Sequence, residues 1–133
     1  KSENVSTNEV AEILNAFEQV NMANVYGVKV PQSEGRAGMV AFNCNLNDFD
    51  WDKFAEFVTE NLPSYAQPVF VRIIDVLETT GTFKLKKNVL RNEAYHLDKV
   101  KDDKVFVKKP GEKKYSLLES DYYNIIEGGQ AGF

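Results

Sequence analysis

The stretch WDKFAEFVTENLPSYAQPVFVRII, Trp51 to Ile74, holds a helix signal and a strand signal back to back. Trp51, Phe54, Phe57, Val58 and Leu62 fall on one face of a 3.6-residue period, so the first half reads as an amphipathic helix. Asp48, Asp50 and Asp52 gather at its start, where negative charge suits the helix dipole. Pro63 and Pro68 end the helix and hold the chain extended into Val69-Phe-Val-Arg-Ile-Ile74, a β-prone run. A helix feeding a strand in this way predicts a mixed domain.

Working outward gives the same class. Upstream, Met39 to Cys44 reads as a strand, and Tyr26, Val28 and Val30 alternate with Val25, Gly27 and Lys29 as another. The turn-rich Pro31 to Gly35 between them makes the two a hairpin or a neighbouring pair. Ser6-Thr-Asn-Glu9 has the form of a capping box, with Val10, Ile13, Leu14 and Phe17 following at helical spacing, so a helix is expected over about 7–17. Downstream, a strand ending near Val76 leads to a loop and a short helix near Leu85 to Arg91. Val105-Phe-Val107, a Pro110-Gly111 turn and a last helix from about Ser120 to Ile126 complete the chain. The expected architecture is α+β: one domain with a small mixed or antiparallel sheet covered by helices.

With 133 residues and 43% hydrophobic side chains, the chain can bury a real core, and its 27% charged residues fit a soluble globular class. No apolar run approaches the ~18 residues of a membrane span, and no signal-peptide pattern opens the chain. The single cysteine, Cys44, excludes an internal disulfide framework and fits a reducing compartment. The chain starts at Lys1 on a charged, capped segment, which reads as a piece of a longer protein. The net charge of -4 is uneven: Lys84 to Lys114 carries 11 Lys/Arg against 5 Asp/Glu. Such a basic stretch reads as a solvated face or as a contact for anionic lipid or other phosphates. It lacks the interleaved aromatics of a nucleic-acid groove, so no nucleic-acid partner is expected.

Few residues can carry chemistry. His96 is the single histidine and stands far from Cys44, so neither a zinc constellation nor a Cys/His nucleophile pair forms in the sequence. His96 reads as a surface or core residue, and Cys44 as a small buried hydrophobe. The helix start already accounts for the three aspartates, and no metal site is expected. There is no P-loop and no dinucleotide fingerprint. Thr79-Thr-Gly-Thr-Phe-Lys-Leu-Lys-Lys87 is different. Gly81 permits backbone angles other residues avoid, and Thr79, Thr80 and Thr82 supply hydroxyls around it. The loop can hold the Lys84 ammonium forward of a scaffold, toward oxygens that gain charge in phosphoryl or nucleotidyl transfer. The residues alone leave this reading beside that of an ordinary surface lysine.

Taken in order, Leu62-Pro-Ser-Tyr-Ala-Gln-Pro68, Asp75 and Thr80-Gly-Thr-Phe-Lys84 resemble the C-terminal domain of adenylate-forming acyl-CoA synthetases. The likeness is to the fatty-acid-transport-protein or very-long-chain branch, where the Gly-Thr-Phe-Lys form occurs. Lys1 to Ser6 resembles that branch's segment after the interdomain hinge, Glu34-Gly-Arg-Ala-Gly38 its hairpin, and Tyr115 to Tyr123 with Ile126 its C-terminal extension. The resemblance divides the chain, 1–133, into a post-hinge segment (1–6), a core (7–100) and an extension (101–133).

The resemblance implies a mobile C-terminal domain of an ATP-dependent fatty-acyl-CoA ligase. A fatty-acid carboxylate attacks the α-phosphate of ATP, releasing pyrophosphate, and CoA then displaces AMP to give the thioester. It implies that Lys84, supported by Gly81, Thr82 and Phe83, enters the first half-reaction. Lys1, Ser2, Glu3 and Asn4 would line the CoA path in the second, although many members carry Gly where Ser2 stands. ATP and CoA are then substrates, with Mg²⁺ expected in an N-terminal adenylation domain and no cofactor on this fragment, which would be inactive alone. A related reading hands the acyl group to a carrier-protein thiol. The implied location is cytoplasmic, or peripheral on the cytoplasmic face of a membrane.

Overall fold

A computed structural model describes residues 6–31, 36–74, 87–100 and 103–131. The quoted stretch forms helix α2 (Trp51–Asn61), a one-turn 3-10 helix (Ser64–Ala66) and strand β3 (Phe70–Ile73). Asp50 caps α2, its carboxylate accepting the Lys53 N–H at 3.0 Å, and Asp52 lies in the first turn. Pro63 and Pro68 bracket the 3-10 turn, so the chain leaves α2 and enters β3 in extended conformation.

Before α2 come helix α1 (Thr7–Asn15), strand β1 (Asn21–Val28) and strand β2 (Ala37–Asn43). Ser6 caps α1 by accepting the Glu9 N–H at 3.3 Å. After β3 come helix α3 (Lys87–Glu93), strand β4 (Lys104–Val107), strand β5 (Ser116–Leu117) and helix α4 (Ser120–Glu127). Among the described residues these make one five-stranded sheet in the order β1-β2-β3-β4-β5. The β2/β3 pair is parallel, with α2 as its crossover; the other pairs are antiparallel. The expected small mixed sheet covered by helices is what forms. Residues 104–107 and 116–117 complete it, so the C-terminal part is built into the sheet.

Helices cover both faces. Val25, Val40, Phe42, Val71 and Ile73 point to the side of α1 and α2, where Val10, Leu14, Phe54 and Val58 meet them. Tyr26, Val28, Met39, Ala41, Phe70, Val105 and Val107 point to the other side, against Leu90, Tyr95 and Ile126 of the α3 and α4 region. Met39 to Phe42 are all buried, as the central position of β2 demands. β1 begins earlier than the alternation suggests: a shift in register between Asn21 and Asn24, with Met22 at φ 59°, bulges the strand before Val25.

Candidate functional site

β3 leaves the sheet from a fixed point. Ile74 donates its N–H to the Phe42 carbonyl at 2.9 Å, and the Asn43 side-chain amide donates to the Ile74 carbonyl at 2.8 Å. The described chain resumes at Lys87, the first residue of α3. Gly81, Thr82, Phe83 and Lys84 lie between these points, outside the described residues, as do Lys1, Ser2, Glu3, Asn4 and the expected strand end at Val76. What is placed is the frame on either side of 75–86.

That frame holds the one buried charged residue among those described. Arg72 of β3 is 4% exposed and sits on the α3/α4 side of the sheet. Its Nε donates to Asp103 Oδ2 at 2.9 Å, its second guanidinium nitrogen lies 2.8 Å from the same oxygen, and Nη1 donates to Glu93 Oε1 at 2.6 Å. Glu93 is the last residue of α3, and Asp103 immediately precedes β4. Burial pulls the guanidinium's pKa down, but the bonds and charges of Glu93 and Asp103 outweigh it and leave a net rise. The Tyr26 hydroxyl is buried with no hydrogen-bond partner among the described residues. Burial raises its pKa; the Glu93 and Asp103 charges add to the rise and Arg72 opposes it.

The Leu62–Pro68 segment is knitted to the C-terminal hairpin. Gln67 donates its side-chain amide to the Leu62 carbonyl at 2.9 Å and accepts from the Lys108 ammonium, while the buried Tyr115 hydroxyl donates to the Pro68 carbonyl. Main-chain bonds of 2.8 Å run from Val69 N–H to the Gly38 carbonyl and from Lys108 N–H to the Val69 carbonyl. Burial lowers the Lys108 pKa. Tyr65, by contrast, is 56% exposed. It borders a groove of about 660 Å³ with Thr7, Arg36 and Ser64, over the cross-strand pair Gly27 and Gly38. A Cβ on Gly27 would stand 3.0 Å from Arg36 Cδ, so the arginine stem lies on bare backbone there.

The remaining candidates take part in packing, capping and hydrogen bonding. His96 stacks on Tyr95 and shares a 2.9 Å hydrogen bond between Nδ1 and the Tyr123 hydroxyl. Cys44 lies one residue beyond β2 and is half-buried rather than buried; burial first, then Asp48, pushes its thiol up to about 11. Asp50 and Asp52 serve α2, and among the described residues no three His, Cys, Asp or Glu side chains converge as a metal site. The basic stretch is partly engaged: Lys114 pairs with Asp52 at 3.2 Å and Lys109 covers the Tyr122 ring at 4.8 Å. No described helix is long and apolar enough to cross a membrane.

Residues 9–84 match the AMP-binding enzyme C-terminal domain family. The chain belongs to that family. As an AMP-binding enzyme C-terminal domain it also aligns with fatty-acid-transport proteins and fatty-acid–CoA ligases along nearly its whole length. It is 42% identical over 127 residues to the long-chain fatty acid transport protein 2 of Rattus norvegicus, covering 95% of this chain and 20% of that protein. It is 41% identical over 131 residues to a medium/long-chain-fatty-acid–CoA ligase of Mycobacterium tuberculosis, covering 98% and 22%. The chain thus spans about a fifth of the length of these relatives. A solved Mycobacterium tuberculosis fatty acyl CoA synthetase shares the fold, with TM-score 0.57 at 22% identity over 69% of this chain and 18% of that one. The expected family and branch are therefore found.

Sequence reading missed the Arg72 cluster. The signal was there: an arginine inside Val69-Phe-Val-Arg-Ile-Ile74 must either break the strand's burial or bring carboxylates in with it. Its partners lie 21 and 31 residues away, where no local pattern points.

Proposed function

We propose that this domain is the C-terminal lid of an ATP-dependent fatty-acyl-CoA ligase, acting on long- or very-long-chain substrates. The observation that carries the reading is the 41% identity, across 98% of the chain, to a relative named as a medium/long-chain-fatty-acid–CoA ligase. In the first half-reaction the fatty-acid carboxylate attacks the α-phosphate of ATP and pyrophosphate leaves. Lys84 approaches the reacting oxygens, and its fixed positive charge stabilises the transition state more than the ground state. In the second, the CoA thiol attacks the acyl carbonyl and AMP leaves, with the segment Lys1, Ser2, Glu3 and Asn4 beside the CoA arm. Rotation of the lid between the two would withdraw Lys84 and admit the thiol. ATP, the acyl chain and Mg²⁺ would be held by the N-terminal adenylation domain, so the fragment alone would not turn over. The parent would work in the cytoplasm or on the cytoplasmic face of a membrane.

The test is product analysis on the full-length parent with a long-chain fatty acid, ATP, Mg²⁺ and CoA. The expected products are acyl-CoA, AMP and pyrophosphate in equal amounts, each dependent on fatty acid. ATP consumption that ignores fatty acid, or that yields ADP, would overturn the reading.

A further inference from the structure

The strand registers bring separate segments of the chain to one end of the sheet. Val28 pairs with Ala37, Met39 with Phe70 and Phe70 with Val107. The end of β1, the starts of β2 and β3 and the end of β4 therefore lie side by side. The described residues just beyond them, 29–31, 36, 62–69 and 108–110, include Lys29, Arg36, Lys108 and Lys109 and no Asp or Glu. At the opposite end Cys44 to Asn47 meet Ile73, and Asp48 and Asp103 gather there with Lys104. The two ends differ in the sign of their charge, and a surface of one sign draws partners of the other.

Neutral partners hold cations of the basic end. The Arg36 stem lies on the bare backbone of Gly27, the Lys108 ammonium donates to Gln67, and Lys109 covers the Tyr122 ring. Lys29 and Arg36 are exposed, and Tyr65, which lines the same groove as Arg36, is 56% exposed. Lys113 and Lys114 differ: Lys114 pairs with Asp52 at 3.2 Å, and both line a cleft with Glu56 and Glu60. From β1 to β4 is three strand spacings, about 14 Å, so the cations of the basic end are spread rather than converged on one point. A bilayer's headgroup layer suits that spread: it offers many phosphates in a plane, at an interface where tyrosine rings are favoured. We propose that this end of the sheet docks on an anionic lipid surface, with Lys29, Arg36, Lys108 and Lys109 as its cations and Tyr65 as its interfacial ring. The inference stands apart from the reading of Lys84, and either can fail without the other.

Co-sedimentation of the whole 133-residue chain with phosphatidylcholine vesicles, with and without phosphatidylserine, tests it. The chain is expected to sediment with the phosphatidylserine vesicles and to stay in solution with the neutral ones. Arg36→Gln with Lys109→Gln should weaken that partitioning about 25-fold, from roughly fivefold for each cation near the surface. Lys113→Gln with Lys114→Gln changes the net charge equally, but at residues already facing carboxylates, and should weaken it by less than about threefold. Tyr65→Ser should weaken it as well, and its loss should persist in high salt, where the charge contribution fades. All these side chains stand at the surface, outside the buried core. Equal losses from the two lysine and arginine pairs would mean that total charge and not this end governs binding, and would overturn the proposal. So would failure to sediment with phosphatidylserine, or sedimentation that ignores it. Release by inorganic phosphate beyond that by chloride at equal ionic strength would assign the end to a soluble phosphate ligand and overturn it too.

Discussion

The two faces of the sheet are built from different chemistry. On the α1/α2 side, Phe17, Phe42, Phe49, Trp51 and Phe54 pack ring against ring, with centroids 4.6 to 6.0 Å apart among neighbours such as Phe49–Trp51 and Phe17–Phe49. On the α3/α4 side the core is threaded with polar groups: Arg72 with Glu93 and Asp103, Tyr95 with Glu127, His96 with Tyr123, and the Tyr26 hydroxyl, which has no partner among the described residues. Apolar burial is non-directional and supplies most of the stability; polar contacts add less net energy but specify geometry. The polar face is also the one against which the α3 region packs through Leu90 and Tyr95. Stability and placement are thus divided between the two sides of one sheet.

The largest effect should come from the aromatic side. Phe54→Ala removes a fully buried ring in contact with Phe17, Phe42 and Tyr115 and should cost about 3–5 kcal/mol. Urea unfolding followed through Trp51, the chain's single tryptophan, would read it. A loss below about 1 kcal/mol would mean that this face is not the main store of stability.

Cys44 gives the next effect, at the rim of the same side. With its thiol pushed from 9.0 to about 11, its thiolate fraction at pH 8 falls roughly 100-fold, so alkylation should be one to two orders of magnitude slower than for a free thiol. The sign follows for stability: the protonated thiol is favoured in the fold, so its contribution is complete below about pH 9 and is lost as pH rises toward 11. Labelling as fast as free cysteine would contradict the burial.

Tyr115→Phe tests the tie between the hairpin and the Leu62–Pro68 segment. It orphans the buried Pro68 carbonyl and should cost roughly 1–2 kcal/mol. Tyr26→Phe is the contrasting removal on the polar face. Its hydroxyl lacks a partner among the described residues, so stability should hold or rise by up to about 1 kcal/mol. A clear loss would show that the hydroxyl has a partner outside the described residues.

The smallest effect belongs to Ala94, which follows α3 at φ 46°, where glycine is favoured. Ala94→Gly relieves about 1–2 kcal/mol of backbone strain, but it removes a buried methyl worth ~0.8 and loosens the unfolded chain by a similar amount. The change should stay within about 0.5 kcal/mol, whereas glycine inside α2 should cost about 1.

The sequence was most legible where a periodic pattern met a stop signal. α2 and β3 follow from the aromatic period and the two prolines, and α1 from Ser6 and Glu9. β5, with two residues, is too short for an alternation to register, and its place beside β4 is set by Phe106 and Val107 pairing with Leu117 and Ser116. The early start of β1 was hidden because a bulge scrambles the period that sequence reading relies on. The residues named for chemistry, Lys84 and Lys1 to Asn4, were named through resemblance and lie outside the described residues. Arg72 was visible as an anomaly in a strand, but long-range pairing decides what it means.

The measurement that bears most directly on the account is fatty-acid-dependent pyrophosphate exchange by Lys84→Ala in the full-length enzyme, with thioester formation from preformed acyl-adenylate as its control. The account predicts that exchange falls by about 100-fold or more, the usual effect of removing a donor to developing charge, while the control stays near the parent rate. Exchange at the parent rate would contradict it, and Lys84 would then take no part in adenylation.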